Sequence, residues 1–257
     1  MSNLENNTTS LQNLLDKVNN LPEAGGGGDN LDAFIDGTLT EVTSNVESVR
    51  NYAFYNHIKL TSINLPSAKS IGQNVLHGCE NLTTVNCPLV TSTGNSTFNN
   101  CFNLTTVYMP LLTNIGGSMF VNCYNLMTVN FPLAESIGGG AFQSCRNLKT
   151  ADFPIATSIY SNAFYGCYIL TSLILRSSTV CSAKYPDFLG YCYHILGTAH
   201  ASYNPSGAKD GYIYVPKALI EDYKVATNWT TYASQFRALE DYTVDGTTTG
   251  ALDETKI

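Results

Sequence analysis

The stretch Met119-Phe-Val-Asn-Cys-Tyr-Asn-Leu-Met-Thr-Val-Asn-Phe-Pro-Leu-Ala-Glu-Ser-Ile-Gly138 is one statement of a pattern that fills the middle of the chain. Phe120 belongs to a column at 22-residue intervals, Phe54, Phe98, Phe120, Phe142 and Phe164, with Leu76 in the remaining place. Three residues on stand His57, Cys79, Cys101, Cys123, Cys145 and Cys167, and three further on Leu60, Leu82, Leu104, Leu126, Leu148 and Leu170. Then come Ile63, Val85, Val107, Val129, Ala151 and Leu173, followed by Leu65, Cys87, Met109, Phe131, Phe153 and Leu175. Proline recurs from Pro66 to Pro154, and Ile71, Ile115, Ile137 and Ile159 mark the second half of each unit. So many columns in step, without insertions, are the signature of a repeat architecture.

The spacing has a direct structural meaning. Leu60-x-x-Ile63-x-Leu65 reads as a short strand with Ile63 and Leu65 inward and Asn64 outward, because side chains alternate faces along a strand. Pro66 stops it, having no amide to donate to a ladder. A second short extended or 3₁₀ segment is expected at Ser70-Ile71 and its equivalents. Gly72, Gly94, Gly116 and Gly138 are expected to turn the chain toward the next coil. One coil cannot bury its own apolar side, but stacked coils share a continuous core. Six coils at about 4.8 Å each give a stack on the order of 30 Å.

The unit A-F-x-x-C-x-N-L-T-T-V-x-x-P-x-x-T-S-I-G resembles the BspA-like (Treponema-type) bacterial leucine-rich repeats. The resemblance covers about Ala53 to Leu175. It implies a β-dominated leucine-rich-repeat solenoid of short parallel strands, with surface display, adhesion and protein binding as usual roles; the leading expectation is a solenoid face presented to a protein or glycan. It carries no catalytic residue to transfer.

Outside the repeat the pattern changes. Residues 1–30 read as a leader: a short helix, with Leu11, Leu14, Leu15 and Val18 on one stripe and Pro22 at its end, then a linker at Gly25 to Gly28. That helix is a candidate handle for self-association or docking. Residues 31–52 read as a degenerate coil capping the N-terminal edge, with Val49 aligned to Ile71. After the solenoid at 53–175, residues 176–244 read as a strand-helix cap. The strand is Tyr212-Ile-Tyr-Val-Pro216, and helical periodicity runs from Lys217 to Leu239 with a break near Thr227-Asn228. The tail 245–257 is small and polar, and is expected to be mobile.

Composition narrows the function classes. Charged residues make up 13% of the chain, about half the usual share of roughly 25%. Between Ala53 and Ile174 the bases are Lys59, Lys69, Arg146 and Lys149 and the acids Glu80, Glu135 and Asp152, so no basic patch answers a nucleic acid. No run approaches the roughly 20 apolar residues of a membrane span, and the first residues lack the pattern of a signal peptide. Localisation therefore divides between the cell surface or extracellular space, which the resemblance implies, and a phage particle.

The Cys column reads as core, since a free thiol is a small buried hydrophobe and stacked parallel positions offer poor disulfide geometry. Cys181, Cys192, His194 and His200 match no zinc-site spacing. No nucleophile elbow, zinc-peptidase, P-loop or dinucleotide motif occurs, so no catalytic residue, cofactor or metal is expected. The Asn column (Asn81, Asn103, Asn125, Asn147) reads as buried amides bonded to backbone of adjacent turns. Partner-binding candidates are the places where the repeat stops being strict. These are the outward strand positions Asn64, Asn86, Tyr108, Asn130 and Asp152, and the turn positions Glu80, Phe102, Tyr124, Arg146 and Tyr168. Exposed aromatics with an arginine match the composition of interaction hot spots. A structural or accessory component of a phage tail or other surface assembly is the alternative to an adhesive binding protein.

Overall fold

Backbone hydrogen bonds in a repeat of this length can close only between coils, so the coils must stack as parallel rungs. The computed structural model describes residues 39–196, 202, 207 and 210–243. Each coil supplies a longer and a shorter strand: β1 (Glu41–Thr43) and β2 (Ser48–Val49), β3 (Ser62–Asn64) and β4 (Ser70–Ile71), β5 (Thr84–Asn86) and β6 (Ser92–Thr93). The series continues with β7 (Thr106–Tyr108) and β8 (Asn114–Ile115), β9 (Thr128–Asn130) and β10 (Ser136–Ile137), β11 (Thr150–Phe153) and β12 (Ser158–Ile159), β13 (Ser172–Leu175) and β14 (Ser182–Ala183). Pairing is parallel and keeps the 22-residue register, as in Ile63 opposite Val85 and Val49 opposite Ile71. The chain is a parallel β-solenoid. The leader helix expected over residues 9–22, the Gly25–Gly28 linker and the tail 245–257 lie outside the described residues.

Alternation along the longer strands carries the core. Ile63, Val85, Val129, Ala151 and Leu173 are buried between outward neighbours. Behind them Phe98, Phe120, Phe142 and Phe164 stack as a column with ring centroids 5.3 to 5.4 Å apart. Burying each ring contributes about 2–3 kcal/mol, and the stacking adds roughly 0.5–1.5 kcal/mol per pair. The Cys column lies in the same core and runs one coil further than the strict repeat, to Cys192. Each thiol donates to the carbonyl of the preceding coil's Phe-column residue: Cys79 Sγ to Phe54 O at 3.1 Å, Cys101 to Leu76 at 3.1 Å, Cys123 to Phe98 at 3.2 Å, and Cys192 to Phe164 at 3.2 Å. A methyl group would fill the space but leave that bond unmade.

A third ladder, on the side away from both strands, runs through the Phe segment. Phe54 N donates to Val75 O at 2.8 Å, Phe98 N to Met119 O at 2.9 Å and Phe142 N to Ala163 O at 2.7 Å. To aim alternate amides along the axis, each coil puts two residues four apart in the left-handed region. Examples are Asn74 with Gly78, Ser96 with Asn100, and Asn162 with Gly166. Glycine and asparagine adopt this region readily.

The glycines expected to turn the chain do something else. None of Gly72, Gly94, Gly116 and Gly138 has positive φ. A Cβ on Gly94 would stand 2.3 Å from Gln73 N, and one on Gly138 2.7 Å from Ile115 O. These residues are glycine because the preceding coil's backbone passes where a side chain would be.

The C-terminal end closes the stack with aromatics. A two-residue insertion shifts the register so that Ser158 pairs with Ser182, and α1 (Tyr193–Leu196) follows. β15 (Tyr212–Val215) pairs with β13. α2 (Ile220–Val225) is shorter than the helical periodicity suggests, and the chain turns at Asn228, whose φ is 66°. A strand not foreseen, β16 (Phe236–Ala238), pairs with β15. Phe236 therefore lies in a strand rather than a helix, because the edge of β15 needs a partner and Phe236 and Ala238 alternate inward. Trp229 Nε1 donates to Cys181 O at 2.7 Å, and the Tyr223 hydroxyl accepts from Cys181 N at 2.8 Å. No described helix is long and apolar enough to cross a membrane.

Candidate binding surface

The turn between the Cys and Leu columns presents one variable side chain per coil, and the rung spacing of about 4.8 Å sets them at stacking distance. Phe102 and Tyr124 stack with centroids 5.2 Å apart and planes 5° from parallel. The Arg146 guanidinium lies over Tyr124, 4.6 Å from its ring centre, and 5.8 Å from that of Tyr168. Tyr168 stacks in turn on Tyr193 at 5.3 Å. Of the expected turn residues, Phe102, Tyr124, Arg146 and Tyr168 thus form one continuous pile at the surface. Glu80 stands exposed in the coil before Phe102.

Two further tyrosines widen the C-terminal end. Tyr165 meets Tyr191 edge-on at 4.9 Å, and Tyr191 lies 6.2 Å from Tyr193. A hydrogen bond with the Tyr191 hydroxyl, the largest cause, pushes the Tyr165 phenol above its ordinary pKa. Sequence reasoning missed Tyr193 and Tyr191 because Cys192 follows Cys167 by 25 residues instead of 22. The signal was present in the repetition of Cys followed by an aromatic, Cys167-Tyr168 and Cys192-Tyr193.

The Asn column holds this edge in place. Asn81 Nδ2 donates to Ile58 O at 2.8 Å and Asn103 Nδ2 to Glu80 O at 3.0 Å, while Asn125 Nδ2 reaches Asn103 Oδ1 at 3.1 Å. The bonding to neighbouring coils is as expected for the first two, but these asparagines are exposed rather than buried. They sit at the rim of the coil, where their amides tie one turn to the next.

The strand positions are less uniform. Asn86 Nδ2 donates to Asn64 Oδ1 at 2.7 Å, so these two bond along the ladder. Tyr108 is 54% exposed, and Asn130 is exposed beside it. Asp152 is held by Arg176, with Nη2 2.9 Å from Oδ2 and Nε 3.2 Å from Oδ1, in a largely shielded pair. Ile174, next in the outward column, is buried against Tyr214 and Leu239 of the cap. The open part of this face is therefore its middle, at Tyr108 and Asn130.

A third row escaped the sequence reading. The residue after each proline is aliphatic at Leu89, Leu111, Leu133 and Ile155, and Leu89, Leu133 and Ile155 are 45%, 41% and 39% exposed. The longer strands separate this ridge from the aromatic pile.

Burial pushes the Cys79 and Cys181 thiols up to about 12, and those of Cys123 and Cys167 well above the ordinary value. Such thiols are neither nucleophiles nor ready metal ligands at neutral pH. Among the described residues no three His, Cys, Asp or Glu side chains converge as a cation site. The His194 side chain and His200 lie outside that description.

A family model for the BspA type leucine rich repeat region matches six copies in this chain, over residues 32–149 and 113–188. The chain belongs to the BspA-type leucine-rich-repeat family. Among solved structures, a leucine-rich-repeat protein of Treponema pallidum is similar at 26% identity with a TM-score of 0.50, covering 56% of this chain and 71% of that one. A leucine-rich cell surface protein of Faecalibacterium prausnitzii A2-165 has 22% identity and a TM-score of 0.46, covering 62% of this chain and 56% of that one. No curated protein matches. The family match ends at residue 188, before Tyr191 and Tyr193, so the C-terminal end of the aromatic pile lies beyond the matched repeat.

Proposed function

We propose that this chain is a binding protein that holds a protein partner against the pile Phe102, Tyr124, Arg146, Tyr168 and Tyr193. The observation that carries the reading is the stacking itself. Aromatic and arginine side chains fixed against one another lose little rotamer freedom on association, so more of their contact energy becomes affinity. Aromatic and arginine anchors of this kind dominate measured interface energetics.

The geometry also favours a protein over a glycan. A sugar ring lies flat on an aromatic face, but here each interior face is taken by the neighbouring side chain. What the pile offers outward is ring edges, tyrosine hydroxyls and the guanidinium. Those groups suit backbone carbonyls, carboxylates and apolar side chains of a protein surface.

The test is capture of cell-surface extract proteins by immobilised wild-type protein and by the variant Phe102→Ala/Tyr124→Ala/Arg146→Ala. A species retained by the first and lost by the second, and destroyed by prior protease treatment of the extract but not by glycosidase, is the expected result. Equal retention by both proteins contradicts the site, and glycosidase sensitivity contradicts the choice of partner.

A further inference from the structure

The coil that carries Arg146 departs from the repeat in three neighbouring columns. Leu148 N donates to Cys145 O at 3.1 Å, so Arg146 and Asn147 form the middle of a tight turn and Lys149 leads into β11. At the position of Asn147, the side chains of Asn81, Asn103 and Asn125 each donate to the coil before. At the position of Lys149, the hydroxyls of Thr61, Thr83, Thr105 and Thr171 do the same. Asn147 and Lys149 make no such bond. Among the described residues, neither side chain finds an acceptor, and Arg146 makes ring contacts alone. All three are exposed, so one turn presents a fork, an amide and an ammonium with their donors unused.

No carboxylate of the solenoid answers them. Asp152, the acid of the same coil, is held by Arg176 in a shielded pair. Glu80 stands in the column of Arg146 but three coils away, about 14 Å along the axis. Glu135 lies beside the shorter strand β10, on another side of the coil. Two positive charges therefore stand together, without a counter-ion among the described residues, on a chain whose net charge is −7. Such a local reversal of sign attracts an anionic surface and disfavours a second copy of the same acidic chain.

The setting of the guanidinium selects the kind of anion. Tyr124 belongs to the coil before it and Tyr168 to the coil after, with ring centres 4.6 Å and 5.8 Å from the guanidinium carbon. The rings flank both faces, so the donors that remain lie in the plane of the group. That planar fork matches the two oxygens of a carboxylate, and the stacking fixes its orientation in advance.

We propose that the pile recognises an acidic segment of a protein partner, with one carboxylate paired bidentately to Arg146 and a second acid meeting Lys149. The inference rests on the reading of the pile as a protein-binding site and adds the chemistry of what it binds. Phe102 and Tyr124 then contact apolar side chains next to the acids.

A random peptide library displayed on phage, selected on the immobilised full chain, tests this without a known partner. The selected peptides should carry Asp or Glu above the library frequency. A synthetic copy of one should lose about tenfold in affinity for Arg146→Lys, which keeps the charge but not the fork, and about as much for Lys149→Glu. Lysine in place of one peptide acid should restore binding to Lys149→Glu. Lys59→Glu, at an exposed cation four coils away, should bind as wild type, and all three variants should keep the wild-type melting temperature. A selection without acidic enrichment, or without any peptide that depends on Arg146, overturns the proposal. So does indifference to Arg146→Lys, or an equal loss in Lys59→Glu, which would make the effect one of net charge. Displacement of the peptide by inorganic phosphate at lower concentrations than by acetate would assign the fork to phosphate groups and overturn it as well. Peptides that need Phe102 and Tyr124 but carry no acid leave the pile standing and remove this inference. Acidic peptides that need Arg146 but tolerate Phe102→Ala/Tyr124→Ala sustain the carboxylate contact and contradict the pile.

Discussion

A thiol in this core has two tasks, filling volume and donating a proton to a carbonyl one coil away. The second has a consequence in alkaline solution. Burial is the main cause that raises the Cys79 thiol to about 12, whereas in the unfolded chain it ionises near 9. Its folded pKa is the higher, so the contribution to stability is fully present below about pH 9 and is lost as pH rises toward 12. Linkage gives each such thiol a slope of up to about 1.4 kcal/mol per pH unit in that window. Denaturant unfolding between pH 9 and 10 should therefore show stability falling with pH, and Cys79→Ala should reduce the slope by up to that amount. A slope unchanged by the substitution would contradict the assignment. The glycine column makes a second prediction at this scale. Gly138→Ala forces a Cβ against Ile115 O and Gly116 C and should cost about 1–3 kcal/mol. Gly139→Ala, whose nearest neighbour is Ser161 O at 3.5 Å, should be close to neutral. Equal melting temperatures for the two variants would show that coil spacing is not what keeps Gly138. The position was legible in the sequence but its reason was not, since a recurrent glycine looks the same whether it turns a chain or admits a neighbour.

At the scale of the element, the ladders are not equally continuous. The longer strands form one sheet from β1 to β7 and a second from β9 to β16, with no pairing between β7 and β9. The shorter strands divide between β6 and β8. The two breaks fall one coil apart, and each coincides with a departure from the repeat. Met127 stands where Thr61, Thr83, Thr105 and Thr171 each donate a hydroxyl to the preceding coil. Thr93 stands in the Ile column and turns its hydroxyl to Met119 Sδ at 3.5 Å. The third ladder crosses both breaks, from Ser96 N to Gly117 O and from Ser118 N to Gly139 O, and Thr113 N donates to Thr91 O across the second. Hydrogen exchange should therefore be faster at the amides of Met127, Thr128 and Asn130 than at Thr105, Thr106 and Tyr108, their equivalents one coil earlier. Equal protection would mean the ladder closes in solution. The columns were enough to place the strands, because alternation and proline act locally. They were not enough to place the breaks or β16, which depend on how one coil meets the next. Tyr193 was lost for the same reason, since a three-residue change of register hides a side chain that the fold returns to its column.

Over the whole molecule, a solenoid converts a sequence period into a surface. The 22-residue register that buries Phe120 on Phe142 also sets Phe102 on Tyr124 and Tyr124 under Arg146. Core and candidate site are thus two readings of one spacing, and the pile is as rigid as the stack beneath it. The turn positions were legible as candidates because they vary, but variation alone did not separate them from the strand face. Geometry does. Asp152 is committed to Arg176 and Asn64 to Asn86, while the half-buried turn aromatics and the exposed Arg146 combine into a single surface feature. The measurement that tests the central claim most directly is the equilibrium affinity of a captured partner protein for three forms of the chain. The account predicts that Phe102→Ala/Tyr124→Ala/Arg146→Ala weakens binding at least 100-fold with the circular dichroism spectrum intact, and that Tyr108→Ala/Asn130→Ala binds as wild type. Undiminished affinity in the first variant, or loss of binding in the second, would place the site elsewhere and contradict the account.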